Sequence, residues 1–351
     1  MHLDDLETPV PVVDMDCMEA NIRRLQTYLE EHKIANRPHV KTHKIPAIGK
    51  LQMDAGAVGI TCQKVSEAEV MADAGFDDIF IPYNIIGESK LKRLMALAAH
   101  INLSVTADSA YTVRGLSTAA GQGGLTLRVL IECDMGANRC GVQSPQEAAG
   151  LARLIGSLPN LHFGGLMTFP TPAGEHLDNF VRQTRSLLKE DGLQIERVSG
   201  GGTPSMWEAH THPELTEYRA GIYVYGDRLN LRSGAVTLDT CALKIFATVV
   251  SRPTAERGIL DAGSKTLSAD LHGLDGYGFI YEYPEAKIYD LSEEHGHVDF
   301  SGCARRPEIG ERVSIIPNHC CMVTSLFDEV VGARGDQVEE TWQVAARSTV
   351  T

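Results

Sequence analysis

The chain has 351 residues, 43% hydrophobic and 22% charged, with a formal net charge of −14. That length suits a large barrel with a smaller module, and the acidic balance argues against nucleic acid or an anionic membrane surface as partner. No run approaches the roughly 20 apolar residues of a spanning helix, and the amino terminus lacks the basic-then-apolar profile of a signal peptide. The expectation is a cytoplasmic protein acting on small molecules, with no nucleic acid and no membrane among its partners. Eight cysteines, irregularly spaced apart from Cys320-Cys321, do not resemble a secreted disulfide framework.

Residues 8–14 read as an entering strand whose prolines suit an edge position. From Asp16 to near Lys33 the apolar residues Met18, Ile22, Leu25, Leu29 and Ile34 recur at helical spacing. The next stretch, Arg37-Pro-His-Val-Lys-Thr-His-Lys44, anchors the chain. As a short strand it points Arg37, His39 and Lys41 to one face. Crowded cations and desolvation lower a lysine's pKa, as a Schiff-base lysine requires; a solvated basic edge strand is the plainer alternative.

Strand-like runs then recur at 57–62, 78–83, 101–107, 125–133, 162–169, 197–202 and 222–225, separated by helix-like segments such as 66–74 and 89–99. With the anchoring strand they make eight. Alternation of this kind predicts an α/β fold, a (β/α)8 TIM-like barrel with chemistry at the carboxyl ends of its strands, an open doubly wound sheet being the alternative. Lys41, Gln63, Asp108, Asp134, Arg139, Thr168 and the 200–203 loop fall at such ends, and Tyr223 and Tyr225 lie on the eighth run. Beyond Asp227 the beat changes to short strands at 238–250, 257–261, 287–291, 297–300, 312–316 and 338–344. The expected domains are a barrel over 15–230 and a β domain formed by 1–14 plus 231–351.

Gly200-Gly-Gly-Thr203 can turn consecutive N–H groups toward a phosphate at the barrel's seventh strand, with Gly221 in reach of the same group; a tight turn is the alternative. Arg139 can bond a phenolate or carboxylate, or pair with Asp134 at the surface. In Pro317-Asn-His-Cys-Cys-Met322 an extended segment would put His319 and Cys321 on one side, where they could share a metal such as zinc; buried cysteines and a capping histidine are the alternative.

Arg37-Pro-His-Val-Lys-Thr-His-Lys44, Asp134-Met-Gly-Ala-Asn-Arg-Cys-Gly141, Gly200-Gly-Gly-Thr203, Arg219-Ala-Gly-Ile-Tyr-Val-Tyr225, Asp261-Ala-Gly-Ser-Lys265, Glu293-Glu-His-Gly296 and Pro317-Asn-His-Cys-Cys321 run almost the length of the chain. In that order they resemble the fold-type III, alanine racemase-like pyridoxal-phosphate enzymes of the D-threonine aldolase and D-serine dehydratase family. The resemblance implies that Lys41 carries pyridoxal 5'-phosphate and that Arg139 bonds its phenolic oxygen. It implies that Gly201, Gly202, Gly221 and Tyr223 lie around its phosphate; Gln63, Thr168 and Thr203 complete the expected cofactor set. It also implies a divalent metal, Zn or Mn, on His319 and Cys321, with thiolate favouring zinc.

The activity implied is cleavage of a D-β-hydroxy-α-amino acid to glycine and an aldehyde, with His176 or His43 as base; the rival is dehydration to a keto acid and ammonia. A homodimer with shared active sites is implied, in which Asp270 and His295 serve the neighbouring chain. One departure is visible: where the family has a tyrosine near the end of strand six, this chain has Met167-Thr-Phe-Pro170.

Overall fold

A computed structural model describes residues 1–351. The chain divides into two compact units, one of Met1–Arg23, Thr42–Ala47 and Ile222–Ser348, the other of Arg24–Lys41, Ile48–Gly221 and Thr349–Thr351. It enters on strand β1 (Val10–Asp14) and helix α1 (Met15–Glu31), in which Met18, Ile22, Leu25 and Leu29 are buried at the spacing the sequence predicts. No helix is long and apolar enough to cross a membrane.

Eight parallel strands follow: β2 (Ala35–Asn36), β3 (Ile60–Thr61), β4 (Asp78–Asn84), β5 (Asn102–Ala107), β6 (Leu127–Asp134), β7 (Leu161–Phe169), β8 (Arg197–Gly200) and β9 (Glu217–Tyr218). Between them lie α2 (Pro46–Asp54), α3 (Val65–Asp73), α4 (Glu88–Ala98), α5 (Ala110–Gly123), α6 (Pro145–Ser157) and α7 (His176–Leu188). The spatial order is β2-β9-β8-β7-β6-β5-β4-β3. Its two ends meet, because His39 bridges Thr61 in parallel and the Thr61 N–H donates to the Pro38 carbonyl at 2.8 Å. The sheet is therefore a closed barrel and not an open doubly wound sheet. Phe80, Leu130 and Met167 form one of its apolar clusters, with Phe169 packed against them.

The first strand is Ala35–Asn36, just ahead of the Arg37–Lys44 stretch expected to form it. The eighth strand is Glu217–Tyr218, whereas Ile222–Val224 is a 3-10 turn, so Tyr223 and Tyr225 are not strand residues. Nor do Arg37, His39 and Lys41 form one basic cluster. Arg37 is buried with Glu217, 2.7 Å from its Nε, and with Asp78; those two open β9 and β4, at the amino end of the barrel. Lys41 sits instead in a 3-10 turn, Val40–Thr42. Residues two apart along a strand share a face but occupy successive layers some 6–7 Å apart, so a common face inside a barrel is not a common place.

The other unit is a mixed sheet. After α8 (Arg228–Arg232) come β10 (Leu243–Ser251), β11 (Arg257–Leu260), α9 (Ser264–Leu267), β12 (Phe279–Ile280), β13 (Lys287–Leu291), β14 (Gly296–Asp299), β15 (Arg312–Ile316), α10 (Cys320–Thr324), β16 (Glu329–Arg334) and β17 (Gln337–Gln343). The path runs β13-β14-β11-β10-β1-β16-β17, with β15 pairing both β10 and β12. Its core includes Ile245, Val249, Leu260, Ile288, Val298, Phe300 and Ile315.

β1 is thus central and not an edge strand, despite Pro11. The Asp14 N–H donates to Ala242 on the β10 side, so by alternation the Pro11 nitrogen faces β16, and the β16 ladder starts only at Val12. The missing donor costs no hydrogen bond.

Candidate active site

In the barrel unit, the Lys41 ammonium lies 3.4 Å from Gln63 Oε1, which also stands 3.0 Å from His39 Nε2. Burial, and then the positive charges of Lys41 and Arg219, hold His39 well below its usual pKa, so its ring is neutral. Gln63 is fixed in turn, its N–H donating to Glu67 in the first turn of α3.

Arg139 pairs with Glu132 at 3.6 Å and lies over the Phe169 ring, 4.6 Å from its centroid. The alternative of an Arg139–Asp134 ion pair does not hold. Asp134 Oδ1 instead accepts the N–H groups of Gly136, Ala137 and Asn138 at 2.9, 2.9 and 3.2 Å, which shapes the turn that presents Arg139. Burial pushes the Glu132 carboxyl up, against the pull of Arg139.

The loops after β8 and β9 carry the glycines. The Gly201, Gly202 and Gly221 N–H groups have no acceptor within the protein. Thr203 opens a 3-10 segment, Thr203–Thr211, directly after Gly202. Thr168 presents a buried Oγ1 without a partner, while its carbonyl accepts from Arg219 at 2.9 Å. Unsatisfied amides on two glycine loops, with an unsatisfied hydroxyl nearby on the neighbouring strand, fit an anion with several acceptor oxygens, and the residues therefore fit the phosphate of the expected cofactor.

In the other unit, His319 is the N-cap residue of α10 and Cys321 lies in its first turn. The extended segment read from the sequence is therefore absent. The two side chains still meet, since the Cys321 sulfur is hydrogen-bonded to the His319 imidazole; Cys321 Sγ also donates to Thr42 Oγ1 at 3.4 Å. Burial opposes a charge on His319, yet its hydrogen bonds to Asp227 and Cys321 outweigh it and push its pKa up to about 10. Burial and the adjoining Cys321 and Asp227 drive the Cys320 thiol far up, so Cys320 stays protonated. An imidazole beside a thiol, flanked by an inert second cysteine, is a donor pair that fits zinc, although no set of three or more His, Cys, Asp and Glu side chains converges on a point.

Tyr223 is buried in the 3-10 turn Ile222–Val224. His43 is fully buried, its Nδ1 accepting the Ile45 N–H at 3.0 Å and its ring edge-on to Tyr225 at 6.4 Å. His176, by contrast, is exposed at the start of α7 and makes no hydrogen bond to the other candidate residues.

Three groups carry the site without having been singled out from the sequence. Asp227 contacts the His319 ring, Glu132 backs Arg139, and buried Arg219 links Ser199 to Thr168 through hydrogen bonds of 2.9 Å each. Burial lowers the Arg219 pKa to about 10, which leaves it charged at neutral pH. Glu132 had a sequence signal, as an acid inside an otherwise apolar strand, and Arg219 opened one of the recognised motifs, whereas Asp227 had none.

Comparison with known proteins accords with this arrangement. The family described as alanine racemase, N-terminal domain, matches residues 13–229, and the putative serine dehydratase domain matches 242–333. The chain is 34% identical to D-threonine aldolase from Arthrobacter sp., over 97% of this chain and 93% of the relative. It is 32% identical to 3-hydroxy-D-aspartate aldolase from Paracoccus denitrificans (99% and 94% covered) and 29% identical to D-threo-3-hydroxyaspartate dehydratase from Delftia sp. strain HT23 (96% and 97% covered). The crystal structure of D-threonine aldolase from Filomicrobium marinum superposes with a TM-score of 0.91 at 32% identity, covering 99% of this chain and 97% of that one. The chain belongs to the fold-type III, alanine racemase-like pyridoxal-phosphate enzymes, in the family of lyases that includes the D-threonine aldolases and D-serine dehydratases.

Proposed function

We propose that this enzyme cleaves the Cα–Cβ bond of D-β-hydroxy-α-amino acids to glycine and an aldehyde, using pyridoxal phosphate and a divalent metal, zinc or manganese. The observation that carries this reading is likeness along the whole chain, higher to the two aldolases than to the dehydratase. When bound, the cofactor supplies an electron sink for the breaking bond, and the metal a Lewis acid for the β-oxygen.

The chain's own residues do the rest. Lys41 is the amine of the covalent link, held beside Gln63. The free amides of Gly201, Gly202 and Gly221 bind the phosphate, with Thr203, Thr168 and Tyr223 completing its surroundings. Arg139, steadied by Glu132 and Phe169, binds the phenolic oxygen. His319 and Cys321 hold the metal, and two protein donors leave positions open for water and for substrate, as catalytic sites require.

Cleavage takes one proton from the β-hydroxyl and returns one to Cα. His43 Nδ1 already accepts a backbone hydrogen bond, so Nε2 carries the hydrogen and neither ring nitrogen is free to take a proton. His176 remains the candidate base. The active assembly is read as a homodimer with shared sites, on the family resemblance, and Asp270 and His295 as its cross-subunit contributors.

The rival reaction, dehydration, would use Lys41 to remove the α-proton and release a keto acid and ammonia. Incubation with D-threonine and with D-serine separates the two readings. Glycine and acetaldehyde from D-threonine are expected, and a keto acid formed faster from D-serine overturns the aldolase reading.

A further inference from the structure

Asp227 is completely buried and uses both carboxylate oxygens. Oδ1 accepts the Asn230 N–H at 2.9 Å and its side-chain Nδ2 at 2.7 Å, which caps α8. Oδ2 accepts the N–H of Cys320, the first residue of α10, at 3.2 Å and stands 3.1 Å from His319 Nδ1. Four donors around one buried carboxylate offset the cost of removing its charge from water. Capping α8 needs only Oδ1, and Ser or Asn would serve there as well. Oδ2 has a separate task.

A carboxylate only accepts hydrogen bonds, so the hydrogen on His319 lies on Nδ1. Nε2 is then the nitrogen whose proton a cation displaces to reach a lone pair. The same oxygen anchors the start of the helix that carries Cys321 one residue later, so imidazole and thiol take their placement from a single atom.

We infer that Asp227 is the positioning residue of the His319–Cys321 pair, its Oδ2 fixing both the imidazole tautomer and the helix start from which Cys321 projects, so that the two donors meet a divalent cation in set geometry. The inference rests on the reading of His319 and Cys321 as metal donors. A hydrogen-bonded carboxylate behind a ligating imidazole is worth about 10–100-fold in metal affinity.

The test is a zinc titration of the metal-stripped full chain against a competing chromophoric chelator. Asp227→Asn keeps an oxygen for the α8 cap but turns an amide donor toward the two donors that Oδ2 now accepts. Zinc binding is expected to weaken by about 10–100-fold in this variant. Asn230→Ala, which disturbs the cap and leaves Oδ2 in place, should lower the melting temperature with zinc affinity unchanged. A purely structural role for Asp227 predicts the reverse: affinity kept in Asp227→Asn, or lost equally in Asn230→Ala, and either result overturns the inference.

A second measurement needs no variant to fold. Nitrogen-15 NMR of the zinc-loaded wild type should show His319 protonated at Nδ1, and protonation at Nε2 overturns the inference. His319→Ala separates the two levels of the argument. Zinc affinity unchanged in that variant removes the metal reading itself, whereas affinity lost there but kept in Asp227→Asn removes the role of Asp227 alone.

Discussion

At Gly201 the backbone φ is +93°, and a Cβ would stand 2.3 Å from the Tyr218 ring. The Tyr218 hydroxyl donates to the Gly202 carbonyl at 2.8 Å, so the ring cannot swing aside without losing that bond. Gly201→Ala should therefore cost about 1–3 kcal/mol of stability, measurable by urea unfolding. Gly202 differs. Its φ of −173° suits any residue, and the nearest atom to a Cβ is 3.5 Å away on Phe169. Nothing within the chain requires glycine there, which points to the close approach of a ligand. Gly202→Ala should leave the melting temperature unchanged and weaken retention of pyridoxal phosphate; undiminished retention would place the phosphate elsewhere. For Lys41, replacement by alanine should abolish the borohydride-stable attachment of the cofactor while circular dichroism stays that of the wild type. Attachment persisting at Lys44 or Lys265 would reassign the lysine.

At the scale of elements, the amino end of the barrel is tied by charge. Arg37 follows β2, Asp78 opens β4, Arg197 opens β8 and Glu217 opens β9, and Arg37 reaches both carboxylates while almost wholly buried. Burial alone would raise the Glu217 pKa, but Arg37 and Arg197 outweigh it and hold it below its usual 4.5. A depressed carboxylate contributes stability that is complete above the unfolded pKa and lost as pH falls through the folded one. Wild-type stability should thus decline as pH drops below about 4.5. Glu217→Gln should cost about 3 kcal/mol at neutral pH, because Arg37 then keeps only Asp78, and should flatten that acid limb in unfolding curves. An unchanged acid limb would assign the transition to other carboxylates.

The partners in this network are distant in sequence, and local signals do not report them. Six barrel strands, the helix from Met15 to Glu31 and the glycine loop were legible because periodicity and turn residues are local signals, whereas the first strand falls at Ala35–Asn36, just ahead of the Arg37–Lys44 stretch expected to form it. The eighth strand was not. Glu217–Tyr218 is two residues long and begins with a charge, while Ile222-Tyr-Val-Tyr225 carries the apolar run that a strand usually shows. Glu217 explains itself only through Arg37, 180 positions earlier, and His319 only through Asp227, 92 positions earlier. Helical geometry likewise replaced the extended segment expected at His319 and Cys321, since a five-residue helix leaves little periodicity to detect.

For the whole molecule, the remaining question is which substrates the enzyme accepts. Bond cleavage next to a conjugated ring requires the breaking bond to stand perpendicular to that ring, so that its electrons enter the conjugated system. A cation held by His319 and Cys321 can polarise the hydroxyl only when that hydroxyl lies on the cation's side of the ring. On the proposed function a single fixed cation would therefore select one configuration at Cα, D in keeping with the family. At Cβ the demand is looser, because either arrangement of hydrogen and methyl can still present the oxygen where the pocket beyond is roomy. D-threonine and D-allo-threonine should both yield glycine and acetaldehyde, and L-threonine should be inert. His319→Ala should lower kcat/KM for D-threonine by several kcal/mol of transition-state stabilisation, the scale on which a Lewis acid contributes. Glycine assayed from each isomer, with and without His319, checks both statements: turnover of L-threonine would remove the geometric argument, and a His319→Ala enzyme of undiminished kcat/KM would remove the cation from the chemistry.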